Sequence, residues 1–403
     1  MTTAATLDSF RAEVRAWFAE HTPAAIADSR HPDRGAMAWG GRRARIGDPA
    51  MRTFYDELVA TGWIAPTWSK DEGGAGLSAA EAAIVRDEAS RVSAGFVLQN
   101  FGTLMVGPLI RDFGTDEQRR RHLTAMARGE IAWCLGFSEP DHGSDLAGLQ
   151  CRAVRDGEVY VVTGAKVWNS RAHRSDFMEL LVRTDPGAPK HHGISVLMVD
   201  LSTPGISISP IELISGGSDF CETRFDEVRV PVDHRLGPEH DGWRLVQHGL
   251  RFEREAVVTM AMAETGFTGR KRATLDEIAR HHQVDPSAPL PGDVASQIAA
   301  AEIEQLAFRA TQRRAADAAR AGQPAPHPSV LKYVGAKVTQ RRRDLEMALR
   351  GTSAIGWEGA AYTEESLRSS REWLRAFGLS IEGGTSEIQL NIIARRVLDL
   401  PLG

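Results

Sequence analysis

The sequence has little cysteine, no excess of basic residues and no long apolar segment, and each shortage excludes a class of protein. The three cysteines, Cys134, Cys151 and Cys221, are odd in number and widely spaced, which indicates reduced core thiols rather than a disulfide frame. The formal net charge of −5 leaves no cationic excess for nucleic acid or an anionic membrane. No segment approaches the roughly 20 apolar residues that span a bilayer, and the polar start does not resemble a secretory signal. We therefore expect a cytoplasmic protein.

Two signatures of cofactor and metal sites are also missing. No Gly-x-Gly-x-x-Gly follows a predicted strand, so a nicotinamide-binding Rossmann site is not supported. The histidine pairs at 191–192 and 281–282 are adjacent rather than four residues apart, so neither pair presents two imidazoles on one helical face. We expect no metal site. The glycine-rich loop at 73–76 lacks a following lysine and is interpreted as structural.

The apolar pattern divides the 403 residues into three parts. Apolar residues recur at three- and four-residue intervals up to position 129, short strand-like runs follow, and long helical patterns return after position 240. This order differs from the alternating pattern of a doubly wound sheet. It predicts an α+β multidomain protein with a helical N-terminal domain (1–129), a central antiparallel β-barrel (130–240) and a C-terminal four-helix-type bundle (241–403).

Local signals predict where individual elements begin and end. Ser78 with Glu81, and Thr115 with Gln118, have the form of a capping box at a helix N-terminus. The dipeptide at 156–157, Asp-Gly, predicts a two-residue hairpin turn with positive φ at both positions. Strands are predicted over 131–138, 149–155, 158–165, 177–183, 193–199, 206–213 and 223–230, and C-terminal helices over 242–280, 294–321, 328–350, 363–377 and 385–398.

The segment 133–149, WCLGFSEPDHGSDLAGL, is the most informative for chemistry. A strand delivers Ser138 and breaks into a loop with Gly143 and Ser144, where hydroxyl and backbone N–H groups can meet an anionic or carbonyl-rich ligand. Taken alone, this pattern also fits an ordinary surface turn. Taken alone, Trp168 is likewise typical of a core residue, and the glycine turn before Thr385 is typical of a capped helix that binds no ligand.

Several spaced motifs together resemble the acyl-CoA dehydrogenase family over nearly the whole chain. The segments APTWSKDEGGAGLS, GPLIRDFGTDEQ, KVWNS and EGGTSEIQLNIIARR follow the family's order. The resemblance implies an FAD enzyme that dehydrogenates an acyl-CoA thioester between its α and β carbons. His142 departs from the family signature, because a small residue is usual there. The positions that match the signature are Ser138, Glu139, Gly143, Ser144 and Asp145.

The resemblance also implies which residues bind FAD between barrel and bundle. Phe137 and Ser138 would lie against the pyrimidine side of the flavin. Trp168 would pack on the flavin, and Ser170 would bond the nitrogen that accepts hydride. Arg395 would lie near the thioester end of the site. The implied cofactor-binding residues are Phe137, Ser138, Gly143, Ser144, Trp168, Ser170, Thr385 and Glu387, and the implied substrate-binding residues are Arg254 and Arg395.

The catalytic base is where the chain departs from the commonest family pattern. Many members carry a glutamate immediately before a Gly-Thr pair, but this chain has Gly383 there, with Glu382 one residue too early. A branched-chain and long-chain minority place the base in a Glu-Arg pair on the first long C-terminal helix, and LRFEREA supplies Glu253 and Arg254 at that place. Apolar neighbours would desolvate Glu253 and raise its pKa. Glu253 is the preferred base, with Glu382 and the absence of a competent base as alternatives.

The resemblance further implies the partners of the enzyme. Electrons would pass to an electron-transferring flavoprotein, and the C-terminal bundle would mediate a tetramer. The segment 272–282 matches poorly the family segment with which a neighbouring subunit binds the adenine half of the flavin. A heterotetramer with a half-site partner subunit is therefore an alternative to a homotetramer, as is a flavin oxidase, monooxygenase or base-free desulfinase on the same fold. The choice of coenzyme A over a carrier protein is likewise what the resemblance implies.

Overall fold

The computed structural model describes residues 4–28, 31–98, 100–249, 273–283, 285–320, 323 and 327–401. The described residues form two compact units. The first contains those up to 211 together with 218–249, and the second contains 212–217 and those from 273 onward. The predicted α+β architecture is confirmed, because helices precede and follow a central sheet.

The first unit begins with helices, and two of them start at the predicted capping boxes. Ser78 Oγ accepts a hydrogen bond from the Glu81 amide at 3.3 Å, and the Glu81 carboxylate accepts one from the Ser78 amide at 2.8 Å. Thr115 and Gln118 form the same reciprocal pair. The helices are α1 (Ala4–His21), α2 (Asp33–Trp39), α3 (Pro49–Ala60), α4 (Ala79–Arg91), α5 (Gly107–Phe113) and α6 (Asp116–Ala127).

The glycine-rich loop at 73–76 is shaped by close backbone packing. A Cβ added to Gly74 would lie 2.4 Å from the carbonyl oxygen of Ala65 and 2.5 Å from that of Trp68. Gly73 and Gly76 adopt φ values of 85° and 69°, which side chains disfavour. Packing and backbone conformation therefore account for these glycines.

We expect the substitution G74A to lower the free energy of unfolding by about 1–3 kcal/mol, because the new methyl group must displace backbone rather than a mobile side chain. Urea denaturation followed by circular dichroism measures the change. G292A is the matched control, since Gly292 is exposed and a Cβ there meets nothing within 4 Å. Equal destabilisation by the two variants would contradict this account of the loop.

The central sheet has eight strands. They are β1 (Trp133–Gly136), β2 (Arg152–Asp156), β3 (Val159–Ser170), β4 (Phe177–Arg183), β5 (Ile194–Asp200), β6 (Ile206–Ile211), β7 (Phe220–Pro231) and β8 (Arg235–Leu236). Their order is β6-β7-β3-β2-β4-β5-β8, and β1 pairs with β4 beside this path. Most pairs are antiparallel, as predicted, but β1 and β2 each pair parallel with β4. Among the described strands β6 and β8 do not pair with each other, so the predicted barrel is not closed.

The hairpin between β2 and β3 forms one residue later than predicted. Asp156 pairs with Val159, so the two turn residues are Gly157 and Glu158. Of the two, only Gly157 has a positive φ, 60°, where the prediction had positive φ at both turn positions. A hairpin turn with glycine at its first central position needs positive φ only there.

Strand β4 is buried on both faces, which explains why its sequence is apolar apart from Glu179 and Arg183. Phe177 and Leu181 belong to a cluster that includes Leu109 of α5 and Leu123 of α6. The alternate residues 178, 180 and 182 belong to the cluster on the other face of the sheet. A strand covered on both sides loses the usual polar alternation.

The second unit is a set of helices packed around one of them. The long helix α10 packs against α8, α9, α11 and α12, where α8 is Leu275–His282, α9 Gly292–Arg320, α10 Pro328–Arg350, α11 Glu364–Ala376 and α12 Ser386–Arg396. Helical residues 242–249, here α7, end the first unit. The prediction of one helix over 242–280 is wrong, because Thr274 caps a new helix with Glu277 in a capping box. None of the described helices has the length and apolar content needed to cross a membrane.

Candidate functional site

The loop after β1 places the first group of predicted site residues. Phe137 and Ser138 follow the end of the strand, and both are half-buried. Phe137 packs against the buried cluster between the helices and the sheet. Glu139 and His142 then form a short antiparallel bridge, with backbone hydrogen bonds of 3.1 Å in both directions. The bridge turns the chain back toward β2 and leaves the intervening residues at the surface.

Glu139 forms a buried ion pair at the base of this loop. Its carboxylate lies 2.9 Å from Lys166 Nζ and accepts hydrogen bonds from the amides of Gln150 and Cys151 at 2.7 and 2.8 Å. The Lys166 side chain is fully buried. Burial alone would raise the pKa of Glu139, but the Lys166 ammonium and the two amides hold that pKa below its ordinary value. Glu139 therefore carries its charge inside the protein and closes the loop.

Gly143 and Ser144, the other predicted residues of the loop, are exposed. A Cβ at Gly143 would meet nothing within 4 Å. Beside them Asp145 forms a surface ion pair with Lys190, at 2.6 Å. Hydroxyl and backbone groups of this loop are thus accessible to a ligand from solvent.

Strand β3 presents Trp168 through a β-bulge. Lys166 pairs with Thr223 and Asn169 with Cys221, so three steps on β3 match two on β7. Trp168 has a φ of 63°, rare for a bulky residue, and its side chain is 55% exposed. Its ring contacts that of Phe220 edge to face, with centroids 6.1 Å apart. More than half of Trp168 is therefore accessible to a ring that would stack on it.

The bulge also changes which residues of β3 face inward. Inward positions are even-numbered up to Lys166 and then shift to Asn169, which is buried. Trp168 and Ser170 flank Asn169 and therefore point to the other side of the strand. Simple alternation along an unbroken strand would also place them together, but it does not predict the bulge.

The second unit places the C-terminal group of predicted residues. Gly383 and Gly384 have φ values of 62° and 88°, and Thr385 caps α12 by accepting from the Ile388 amide at 3.2 Å. The carbonyl of Gly384 accepts a hydrogen bond from Lys332 Nζ at 2.6 Å. This turn is fixed by the bundle, and the N-terminus of a helix such as α12 favours an anion. Glu387 and Arg395 are exposed on α12.

Of the two candidate glutamate bases, only Glu382 lies among the described residues. Glu253 and its neighbour Arg254 lie outside the described residues. Glu382 is half-buried and forms an ion pair with Arg375 at 2.6 Å. Gly383, at the position of the commonest family base, has no side chain that could take a proton. A second-unit carboxylate is thus present near the turn, but it is engaged by an arginine.

Two features were missed by the sequence interpretation. The Lys166–Glu139 pair could have been suspected, because Lys166 occupies an inward position of a strand whose other inward residues are Tyr160 and Val162. Lys332 gives no local signal, because its partner, Gly384, lies 52 residues later. Only the tertiary structure brings the two together.

The three arginines of the basic run at 341–343 form ion pairs with carboxylates of the second unit. Arg341 and Arg342 pair with Glu304 and Glu302 of α9. Arg343 is buried and pairs with Glu346 and Glu372. The helical periodicity of α10 turns Arg343 toward α11, so the run stabilises the bundle.

Cys134, Cys151 and Cys221 are buried, as predicted, and burial raises the pKa of the Cys151 thiol to about 11. Within the described part of the chain, no cluster of three His, Cys, Asp or Glu side chains could hold a metal ion. A cavity of about 370 Å³ lies among residues 36–59 and 128–130, and none of the predicted site residues lines it.

The predicted site residues of the first unit have side chains that suit a flavin. The open indole of Trp168 suits a flat aromatic ring, and the hydroxyls of Ser138 and Ser170 suit its carbonyl and nitrogen edge. The turn before α12 in the second unit suits a phosphate, since its amides converge at a helix N-terminus.

Three family models match the chain in succession. They are the acyl-CoA dehydrogenase N-terminal domain over residues 5–130, the middle domain over 134–228 and the C-terminal domain over 240–398. Acyl-CoA dehydrogenase IpdE1 of Mycobacterium tuberculosis is 33% identical over 398 residues, 98% of each chain. Acyl-CoA dehydrogenase FadE26 of the same organism is 34% identical over 88% of this chain and 90% of its own.

Solved structures superpose along the full chain. The Tcur3481-Tcur3483 steroid ACAD gives a TM-score of 0.78 at 27% identity, covering 100% of this chain and 99% of its own. The ChsE4-ChsE5 complex from Mycobacterium tuberculosis gives a TM-score of 0.75 at 29% identity, covering 100% of both chains.

Proposed function

Because the chain belongs to the acyl-CoA dehydrogenase family, we propose that it binds FAD and oxidises the α–β carbon bond of an acyl-CoA thioester with Glu253 as its base. Members of this family are flavin-dependent oxidoreductases acting on CH–CH groups. One observation carries the proposal for this chain. The Ser138 carbonyl accepts a hydrogen bond from the Val167 amide at 2.9 Å, which brings the signature loop beside the exposed Trp168.

Residues on β3 and after β1 would hold the flavin ring. Trp168 would stack on it, while Ser138 and Ser170 would donate hydrogen bonds to its polar edge. By the family resemblance, the turn at Thr385 in the second unit would bind phosphate. Held by these residues, FAD would supply the acceptor for the β hydrogen as hydride. Donors held in place before the reaction stabilise the charge that develops without having to reorganise.

Glu253 would remove the proton on the α carbon. Gly383 supplies no carboxylate, and the Glu382 carboxylate is engaged by Arg375, which favours the Glu-Arg pair at 253–254. The neighbours of Glu253 in sequence, Phe252, Val257 and Val258, would exclude water from its carboxylate and raise its pKa. A base with a raised pKa is matched to proton abstraction near neutral pH.

The proposed substrates are bulky or branched acyl groups. One matched structure is described as a steroid ACAD, and a relative 29% identical over 86% of this chain is (2S)-methylsuccinyl-CoA dehydrogenase from Cereibacter sphaeroides. Anaerobic titration of the purified yellow protein with linear, branched and steroid-derived acyl-CoA thioesters tests this. Bleaching of the flavin absorbance by the bulky thioesters is the expected result, and bleaching only by short linear ones would contradict it.

A half-site partner subunit is the second candidate function. The weak match at 272–282 favours it, as do two matched structures whose descriptions each name two proteins. Such a chain would need a second subunit type, in a heterotetramer, to complete its flavin site. A chain that purifies colourless alone, and yellow when produced with the product of a neighbouring gene, would favour this candidate. A yellow tetramer of this chain alone would favour the homotetramer.

The electron acceptor would be an electron-transferring flavoprotein in the cytoplasm. An oxidase or monooxygenase on the same fold would instead react with oxygen. Stopped-flow mixing of the substrate-reduced protein with each acceptor separates the two possibilities. Rapid reoxidation by oxygen, rather than by the flavoprotein, would reject the dehydrogenase assignment.

A further inference from the structure

Lys166 and Asn169 connect two segments that the proposed function assigns to the flavin. Both lie on β3, on either side of the bulge, and their exposed fractions are 0% and 1%. Lys166 Nζ donates to the carbonyl of Phe137, and Asn169 Nδ2 donates to the carbonyl of Leu135, each at 3.0 Å. One acceptor lies in β1 and the other just after it. In a regular sheet, backbone amides of the neighbouring strand would donate to such carbonyls.

A backbone bond completes the connection. The Val167 amide, in the bulge, donates to the carbonyl of Ser138 at 2.9 Å. Strand β1 pairs with β4 only as far as Gly136. Beyond that residue, Phe137 and Ser138 lie past the ladder, so the bonds from residues 166 and 167 hold the backbone where the ladder has ended.

The ion pair extends the same connection to the base of the loop. Lys166 Nζ also contacts Glu139 at 2.9 Å, and Glu139 accepts from the amides of Gln150 and Cys151. One ammonium therefore joins a backbone carbonyl before the loop to the carboxylate that closes it. A buried charge tolerates little displacement from its partners, because each lost contact leaves an unpaired group in an apolar interior.

We propose that Lys166 and Asn169 are positioning residues that keep the Phe137–Ser138 backbone in register with the bulge carrying Trp168. They act through the backbone and are assigned no contact with the flavin. This register affects ligand affinity. A hydroxyl and an indole that are already fixed lose less conformational freedom when a ligand binds. The inference rests on the proposed function, since it gives the aligned groups their purpose.

The test uses two variants that keep the interior free of unpaired charge. N169L removes the bond to the Leu135 carbonyl and a longer one, of 3.5 Å, to the Val167 carbonyl, at similar volume. K166M/E139Q removes both members of the ion pair together. K190M is the matched control, because Lys190 pairs with Asp145 on the same loop but at the surface. Two quantities are measured on the full-length protein as purified. The first is the rate of amide hydrogen exchange at residues 137–138 and 167–170, and the second is the Kd for added FAD.

We expect exchange in these peptides to rise by about tenfold in both variants, with a comparable rise in the Kd for FAD and no change in K190M. N169L decides the outcome by itself if the double variant does not fold. Folded variants with wild-type exchange and wild-type FAD affinity would overturn the proposal. A wild-type protein without affinity for FAD would refute the proposed function, and exchange alone would then show whether the two segments are held together.

Discussion

The variant E253Q is expected to slow bleaching of the bound flavin by substrate at least about 10²–10⁴-fold, because glutamine matches the size of glutamate but cannot accept the α proton. The fold should be unchanged, since the substitution removes one charge without altering volume. Anaerobic stopped-flow absorbance with an acyl-CoA thioester that bleaches the wild type measures the rate. A full spectrum before mixing shows whether flavin occupancy is preserved.

E382Q is the matched control, because it makes the same chemical change at the other candidate base. Its carboxylate forms a half-exposed ion pair with Arg375, and such pairs contribute about 0–1 kcal/mol. Bleaching in E382Q should therefore stay close to the wild-type rate. The reverse pattern would transfer the role of base to Glu382, and wild-type rates in both variants would exclude a glutamate base at either position.

Loss of the buried Arg343 in α10 is expected to have the largest effect on stability. R343M should lower the free energy of unfolding by up to about 3–5 kcal/mol, because it removes the nearer arginine partner of the buried Glu346 carboxylate and leaves only Arg350, at 3.3 Å. Arg343 is 5% exposed and contacts Glu346 and Glu372, and Ser369 Oγ donates to Glu346 at 2.7 Å. Urea denaturation near neutral pH measures the loss.

R341M tests whether burial is the cause. Arg341 stands two positions away on the same helix and pairs with Glu304 at 3.0 Å, but the pair is about half exposed, so its loss should cost no more than about 1 kcal/mol. Similar losses of unfolding free energy in R341M and R343M would show that burial does not increase the contribution of the ion pairs.

The stability difference should also depend on pH. Burial alone would raise the pKa of Glu346, but Arg343, Ser369 and Arg350 hold it below its ordinary value. A lowered pKa in the folded state adds stability above the pKa of the unfolded chain, and this stability is lost as the pH falls through the folded pKa. The penalty of R343M should therefore be largest near neutrality and shrink below about pH 4. A penalty that grows in acid would contradict this assignment.

Sequence patterns succeeded where neighbouring residues decide the structure. The capping boxes at Ser78 and Thr115 formed as predicted, because their hydrogen bonds join residues three positions apart. The same signal at Thr274 was overlooked, and a single helix over 242–280 was predicted across it. The hairpin after β2 was predicted from Asp-Gly, but pairing of β2 with β3 moved its turn by one residue.

In the candidate site, too, the sequence predicted what depends on neighbouring residues and missed what depends on tertiary contacts. Local motifs, taken together as a resemblance to the family, were enough to predict the loop after β1, the strand bearing Trp168 and the glycine turn before Thr385 as the segments of interest. They did not reveal the bulge that exposes Trp168, because the bulge exists only in the pairing of β3 with β7. They also did not reveal why Glu382 is engaged, because that depends on Arg375 of another helix.

The sequence by itself determined the family and the order of helices and strands, and it predicted which segments would carry chemistry, because short-range periodicity, turn residues and spaced motifs indicate them. Only the tertiary structure decided that the sheet stays open, that Arg343 is internal, and that Lys166 joins Phe137 to Glu139. The physical reason is distance along the chain. A buried charge is stable only beside partners that folding brings together, and no local pattern records which partners those are.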